Sequence, residues 1–192
     1  MSLLAATTAG ASAVPIESSL FLAEASPSLF SDEETPLESL FFASMTGDVE
    51  RALSALSRGA DPNVANARGI TPLLVACGGV GPVGMLEALL SAGAGCDSAD
   101  PDGWTPLTYA ASSGQLALMD TLIASGANVS GGENRPIDAW TPLARAAYRG
   151  HVNAVILLMK SGARIEDLVS GKSAVEWASD AGHHDVVLQL LK

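Results

Sequence analysis

Trp104-Thr105-Pro106-Leu107-Thr108-Tyr109-Ala110-Ala111 decides the fold, because the chain says it more than once. Ile70-Thr71-Pro72-Leu73-Leu74-Val75-Ala76-Cys77 and Trp140-Thr141-Pro142-Leu143-Ala144-Arg145-Ala146-Ala147 carry the same residue types in the same order. A glycine follows nine residues after Thr105 and Thr141 and ten after Thr71, at Gly114, Gly150 and Gly81. Twelve residues beyond each comes a Gly-Ala pair: Gly126-Ala127, Gly162-Ala163 and Gly93-Ala94. The same step joins Gly47 to Gly59-Ala60, which places a further copy upstream. Counted back from Gly47, its register begins at Glu38 and leaves Thr35-Pro36 out of phase. A fifth copy opens at Lys172-Ser173-Ala174-Val175 and reaches Gly182. Repeat starts near 38, 71, 105, 141 and 173 give steps of 33, 34, 36 and 32, a period that belongs to stacked helical units.

Each letter has a physical task. Threonine caps a first helix by accepting a bond from a free backbone N–H, and proline sits at the first helical position, where no donor is required. Leucine points to the core, and the Ala-Ala pair lets helices approach closely. Glycine then ends the helix in a left-handed turn. A second helix follows, apolar at Leu116, Met119, Leu122 and Ile123 in repeat three and at Val152, Val155, Leu158 and Met159 in repeat four. The next Gly-Ala closes it, and a polar hairpin leads onward.

On these residues, residues 35–192 resemble an ankyrin-repeat domain. The resemblance implies an all-α solenoid of helix-turn-helix units joined by hairpin loops. The histidine that usually follows Thr-Pro-Leu is replaced here by Leu74, Thr108, Ala144 and Glu176, which implies loss of its network between repeats. Two irregularities stand out. Gly78-Gly79-Val80-Gly81-Pro82 predicts early fraying of a first helix and the weakest interior junction, and Ser130–Pro136 is a lengthened hairpin. Residues 1–34 form an acidic, Ala/Ser-rich segment, either a tail or a cap over the open end of repeat one.

Composition narrows the function classes. The 192 residues include 21 acids and 10 bases, a net charge of −11, which disfavours phosphate backbones and anionic membrane surfaces. The charge is uneven: −5 over residues 1–34, −7 over 35–134 and +1 over 135–192. Cys77 and Cys96 are too few for a disulfide framework, so reduced thiols in a cytoplasmic or nuclear protein are expected. No basic residue precedes Arg51, so no secretory or transit signal is legible. The uncharged run Gly69–Leu86 contains Pro72 and Pro82 and lies inside a repeat, so it reads as soluble helix rather than membrane span.

Catalytic chemistry finds little support. His151, His183 and His184 fall at the starts of second helices, a structural place, and no glycine run cradles phosphate. Asp97, Asp100 and Asp102 with Gly103 resemble a calcium loop only faintly, because the bidentate glutamate is missing; Asp100-Pro101-Asp102-Gly103 is also an ordinary turn in register. No enzyme, metal or other cofactor is therefore expected.

What remains is a surface. The ankyrin resemblance implies a concave groove read by a partner protein through the residue before Thr-Pro-Leu, the one before Ala-Ala and those just after it. Those places put the candidate partner-binding residues at Phe42, Met45, Ile70, Trp104, Tyr109, Trp140, Arg145, Tyr148, Arg149, Lys172 and Trp177. All three tryptophans and both tyrosines of the chain fall on this face, and none is assigned to the core. The plainer alternative is that Trp104 and Trp140 simply pack across adjacent hairpins. The groove is expected to run from an acidic end at Asp97, Asp100 and Asp102 to a basic patch of Arg135, Arg145 and Arg149 around Tyr148. A monomer that binds another protein as adaptor, regulatory subunit or assembly factor is the expected function. An inhibitor of a partner enzyme is the alternative, since ankyrin-built inhibitors of cyclin-dependent kinases are similar in size and repeat number.

Overall fold

The computed structural model describes residues 34–79, 81–132, 136 and 138–192. Within them the repeating cap–helix–glycine grammar produces ten helices in five antiparallel pairs. These are α1 (Pro36–Thr46) with α2 (Val49–Ser57), α3 (Pro72–Gly78) with α4 (Val83–Ser91), and α5 (Pro106–Ser113) with α6 (Leu116–Ala124). They continue with α7 (Pro142–Tyr148) and α8 (Val152–Lys160), then α9 (Ala174–Asp180) and α10 (His184–Leu190). The first helices stack on one another in chain order and the second helices likewise, which makes an all-α solenoid.

The caps form as the residue types require. The hydroxyls of Thr71, Thr105, Thr141 and Ser173 accept from the backbone N–H three residues on, and proline follows the three threonines. Second helices end in a paired backbone lock: Gly59 N–H bonds Leu56 O, and Ala60 N–H reaches Ala55 O at 3.1 Å. Ala94, Ala127 and Ala163 make the same bond, which is why each Gly-Ala pair stops its helix. The core between the helix layers is small-residue and leucine packing, with Leu73, Leu107, Leu143, Ala110, Ala111, Ala146 and Ala147 almost wholly removed from solvent.

Two readings of the sequence change. Thr35-Pro36 stands ahead of the register yet still opens the helix: Thr35 caps α1 in a reciprocal capping box with Glu38. Counting back from Gly47 finds the repeat but misses an added turn, because α1 runs 11 residues where α5 runs 8. Secondly, α3 is not shortened, since its 7 residues match α7 and α9. The irregularity is in its exit, where Gly79 is extended, with φ −91° and ψ −163°, instead of left-handed. Gln115 of the next repeat holds that exit by donating to Gly79 O at 2.8 Å. The apolar run Gly69–Leu86, read above as part of a repeat, is divided between α3 and α4. No helix among the described residues is long and apolar enough to cross a membrane. Residues 1–33 and Arg135, named above, lie outside the described residues.

With the usual histidine absent, other side chains stitch the repeats. His151 Nε2 lies 3.0 Å from Ser112 O of the preceding repeat. Asn63 bridges to Gly93 O and Gly95 N, and Asp97 accepts from Asn128 N at 2.8 Å in the corresponding place one repeat later. The final hairpin is the tightest, with Val169 and Lys172 paired across Ser170 and Gly171, both at positive φ.

Candidate functional site

The candidate residues divide into two groups. Trp104 and Trp140 stand just before the threonine caps of α5 and α7, and Lys172 holds the same place before Ser173. Tyr109 lies on α5, Arg145 and Tyr148 on α7, and Trp177 on α9, so repeats three to five present their side chains to one face. Phe42, Met45 and Ile70 belong to repeats one and two and stand apart from that cluster. All three are half-buried. The Phe42 ring is covered by Arg51, whose guanidinium carbon sits 4.2 Å from its centroid and which also pairs with Glu34.

In repeats three to five, rings and cations alternate. Trp104 leans on Tyr109 with centroids 5.0 Å apart. Arg145 comes next, its guanidinium carbon 4.6 Å from the Trp104 centroid, 5.0 Å from Trp140 and 5.6 Å from Tyr148. Trp140 meets Trp177 at 4.7 Å and Tyr148 at 5.4 Å, and Tyr148 meets Trp177 edge-on at 5.8 Å. Lys172 closes the row 4.9 Å from the Trp177 centroid and pairs with Asp180. Five rings and two cations from three repeats thus form one continuous stack, the arrangement in which aromatic quadrupoles and positive charges attract.

Arg145 does not lie open to a partner. It is only 6 % exposed, with Nε donating to Ser112 Oγ at 3.1 Å. Burial, reinforced by the like charge of Arg149, lowers its pKa to about 10, which still leaves the guanidinium charged at neutral pH. Its role in the cluster is to hold the rings. Arg149 is the exposed cation, anchored through Nε to Ser112 O. Of the expected basic patch, Arg149 alone is an exposed cation among the described residues.

The rings are also not free of the core. Tyr109, Trp140 and Trp177 each pack one side against it, and all five rings are half-buried. Trp104 and Trp140 meet through Arg145, which lies against both, and each ring keeps partial exposure.

Asp100, read above as a turn residue or a faint calcium ligand, anchors the acidic end. Its Oδ1 accepts from Asp102 N and Trp104 N, both at 2.9 Å, and its Oδ2 accepts from the Tyr109 hydroxyl at 2.6 Å. Burial first, then this bond and the Asp100 charge, push the Tyr109 phenol well above the ordinary tyrosine range. Both oxygens of Asp100 are thus committed to the fold. Sequence reasoning missed Asp100 and Ser112 as organisers of the site. The available signal was Asn66, which occupies the corresponding place one repeat earlier and bonds Arg68 N and Ile70 N in the same way.

Comparison with known proteins matches the chain to a family. A family model described as ankyrin repeats (3 copies) matches residues 40–132 and 130–192. The chain is 38% identical over 95 residues to a RelA-associated inhibitor of Mus musculus, covering 49% of this chain and 11% of that protein. It is 37% identical over 101 residues to the ankyrin repeat and KH domain-containing protein mask-1 of Caenorhabditis elegans, covering 51% and 4%. A third relative, the ankyrin repeat, SAM and basic leucine zipper domain-containing protein 1 of Colobus guereza, shares 45% over 51 residues, covering 27% and 11%. The matched segments span about a tenth or less of these relatives' lengths.

Proposed function

The chain belongs to the ankyrin-repeat family, and from that premise we propose that it binds a partner protein through the aromatic face of repeats three to five, as an adaptor, regulatory subunit or assembly factor. Ankyrin repeats are protein-interaction modules without chemistry of their own, and nothing in the family match indicates catalysis. The observation that carries the proposal is the stack itself. Tryptophan, tyrosine and arginine are the residues that dominate interface hot spots, and a ring already fixed by its neighbours loses little further freedom on binding. Here Arg145 fixes Trp104 and Trp140 together across two repeats. Phe42, Met45 and Ile70 extend the proposed surface toward the first repeats. Binding as a monomer, in the cytoplasm or nucleus, is part of the same proposal.

A second reading, inhibition of a partner enzyme, is favoured by one observation: a relative that shares about half of this chain bears the name of an inhibitor. The two readings use the same face and differ in whether partner activity falls on binding.

The test compares capture of proteins from native extract by the wild type and by a Trp104→Ala/Trp140→Ala variant whose helicity and melting have been measured. The expected result is a protein retained by the wild type and lost by the folded variant. Because all three tryptophans sit in the stack, purified partner should also shift their emission. Equal capture by both proteins, or an unchanged spectrum at saturation, rejects the proposal. Activity of the captured partner then separates adaptor from inhibitor.

A further inference from the structure

We infer that the aromatic face takes a proline-rich segment in the polyproline II conformation, with an acidic residue at one flank; the inference rests on the reading of that face as a partner surface. Asp100 already accepts from two amides and Tyr109, and Asp180 Oδ2 accepts from Lys172. The Trp177 indole N–H is also spent, on Val169 O. Among the described residues, the indole N–H groups of Trp104 and Trp140, the Tyr148 hydroxyl and the outer guanidinium nitrogens of Arg149 keep no protein partner. None of them is a buried orphan, so each faces solvent.

An indole N–H and a guanidinium donate and cannot accept. Their complement is a ligand that offers apolar faces and carbonyl oxygens and brings few donors. Proline meets both conditions, having an apolar ring and a carbonyl but no N–H. Polyproline II leaves its carbonyls unbonded within the helix and is extended before it binds, so little ordering entropy is lost.

Spacing agrees. Because the Arg145 guanidinium carbon lies 4.6 Å from one indole centroid and 5.0 Å from the other, the Trp104 and Trp140 centroids are no more than about 10 Å apart, so a polyproline turn of ~9 Å is long enough to reach both rings. A cationic ligand fits less well, since Arg145 and Lys172 already occupy the positions over the rings. Charge sets direction. Exposed Arg149 attracts an acid on its side, while exposed Asp97 and Asp102 repel one from the hairpins of the acidic end.

The test titrates the full chain with a polyproline peptide bearing one terminal glutamate, followed by tryptophan emission and calorimetry. The control has the same length and glutamate, with alanine and glycine in place of proline. The proline peptide is expected to bind about tenfold or more tightly than the control. Trp140→Phe keeps an aromatic ring but removes the indole N–H and part of the stacking face, so it should weaken binding about threefold to tenfold without unfolding the repeat. Arg149→Glu should remove the advantage of the glutamate over an uncharged polyproline. Equal binding of proline and control peptides, or proline binding that survives Trp104→Ala/Trp140→Ala, overturns the inference. If capture of a partner still depends on Trp104 and Trp140 while polyproline neither binds nor competes, the surface stands and the ligand is not proline-rich. If capture is independent of those tryptophans, the surface reading fails first.

Discussion

The guanidinium carbon of Arg145 lies 4.6 Å from the centroid of the Trp104 ring, although the two residues come from adjacent repeats. Trp140 flanks the same guanidinium at 5.0 Å, and Ser112 Oγ accepts a hydrogen bond from its Nε–H. One side chain therefore ties repeat three to repeat four at the surface proposed to meet a partner. A solenoid is stabilised by each repeat and each nearest-neighbour contact, so a single interface residue can matter to the whole array.

Replacing Arg145 by methionine keeps an apolar stem between the indoles and removes both the charge and the Ser112 bond. Each cation–π contact contributes about 0.5–2 kcal/mol, and the desolvation of the buried charge offsets part of it, so a net loss of about 1–2 kcal/mol is expected. Arg145→Lys should not restore it, because a point charge cannot lie flat between two rings. Urea unfolding measures both. A methionine variant with the wild-type midpoint would show that the stack contributes nothing to stability.

Asp100 and Asn66 provide a comparison built into the chain. Both side chains accept from two amides of their own hairpin, so Asp100→Asn should preserve the loop and cost less than about 1 kcal/mol. Asp100→Ala strands two amides and the Tyr109 hydroxyl, and about 2–3 kcal/mol is expected. Chemical denaturation of the pair decides whether the contact is a loop anchor or depends on its charge.

The pH dependence follows from Tyr109. Burial and Asp100 hold its phenol protonated in the fold well above the value near 10 at which an unfolded tyrosine ionises. Above that pH the unfolded chain releases a proton that the folded chain keeps, so alkali favours unfolding. The contribution is complete below about pH 10 and is lost as pH rises further. Tyr109→Phe should therefore show a shallower alkaline fall in urea midpoint than the wild type, with the two curves parallel below pH 9. Identical curves throughout would refute the assignment.

Local grammar was legible and spatial neighbourhood was not. Thr105, Pro106 and Gly114 act on backbone groups within a few residues, so their spacing revealed caps and stops directly. Thr35 escaped because a register counted from Gly47 fixes where α1 ends and says nothing about where it begins. Arg145 was placed on the partner face by its position within one repeat. What buries it comes from elsewhere in the stack, as Trp104 and Ser112 belong to the preceding repeat and Trp140 arrives from the hairpin. Asp100 illustrates the same limit from the opposite side. Its backbone role is local and resembles that of Asn66, whereas its bond to Tyr109 requires the α5 surface to be folded over the hairpin.

Two glycines separate backbone strain from crowding. Gly59 has φ +91° with open space where a Cβ would stand, so Gly59→Ala should cost about 1–2 kcal/mol from conformation alone. Gly150 has φ +77°, and an added Cβ would stand 2.6 Å from the His183 ring of the next repeat. Gly150→Ala must also displace that ring, so its loss should exceed that of Gly59→Ala by about 1 kcal/mol or more. Thermal melts suffice, and Gly150→Ala/His183→Ala should recover the excess. Equal costs for the two glycines would mean that the histidine yields freely.

Cys77 reports on the junction expected to be weakest. It lies fully buried in α3, immediately before the Gly78–Pro82 exit, and burial pushes its thiol up to about 12. Cys96 is half-buried in a hairpin and should react first with a thiol reagent. Reaction at Cys77 requires opening of the packing between α3 and its neighbours. If the glycine-rich exit opens by itself, Cys77 will be labelled faster than global unfolding allows, at a rate nearly independent of low urea concentrations. If the junction is as firm as the others, labelling will carry the full urea dependence of unfolding. Gln115→Ala, which removes the bond to Gly79 O, should increase the rate in the first case and leave the urea slope small. A steep slope in both proteins would place the weakest point of the solenoid elsewhere.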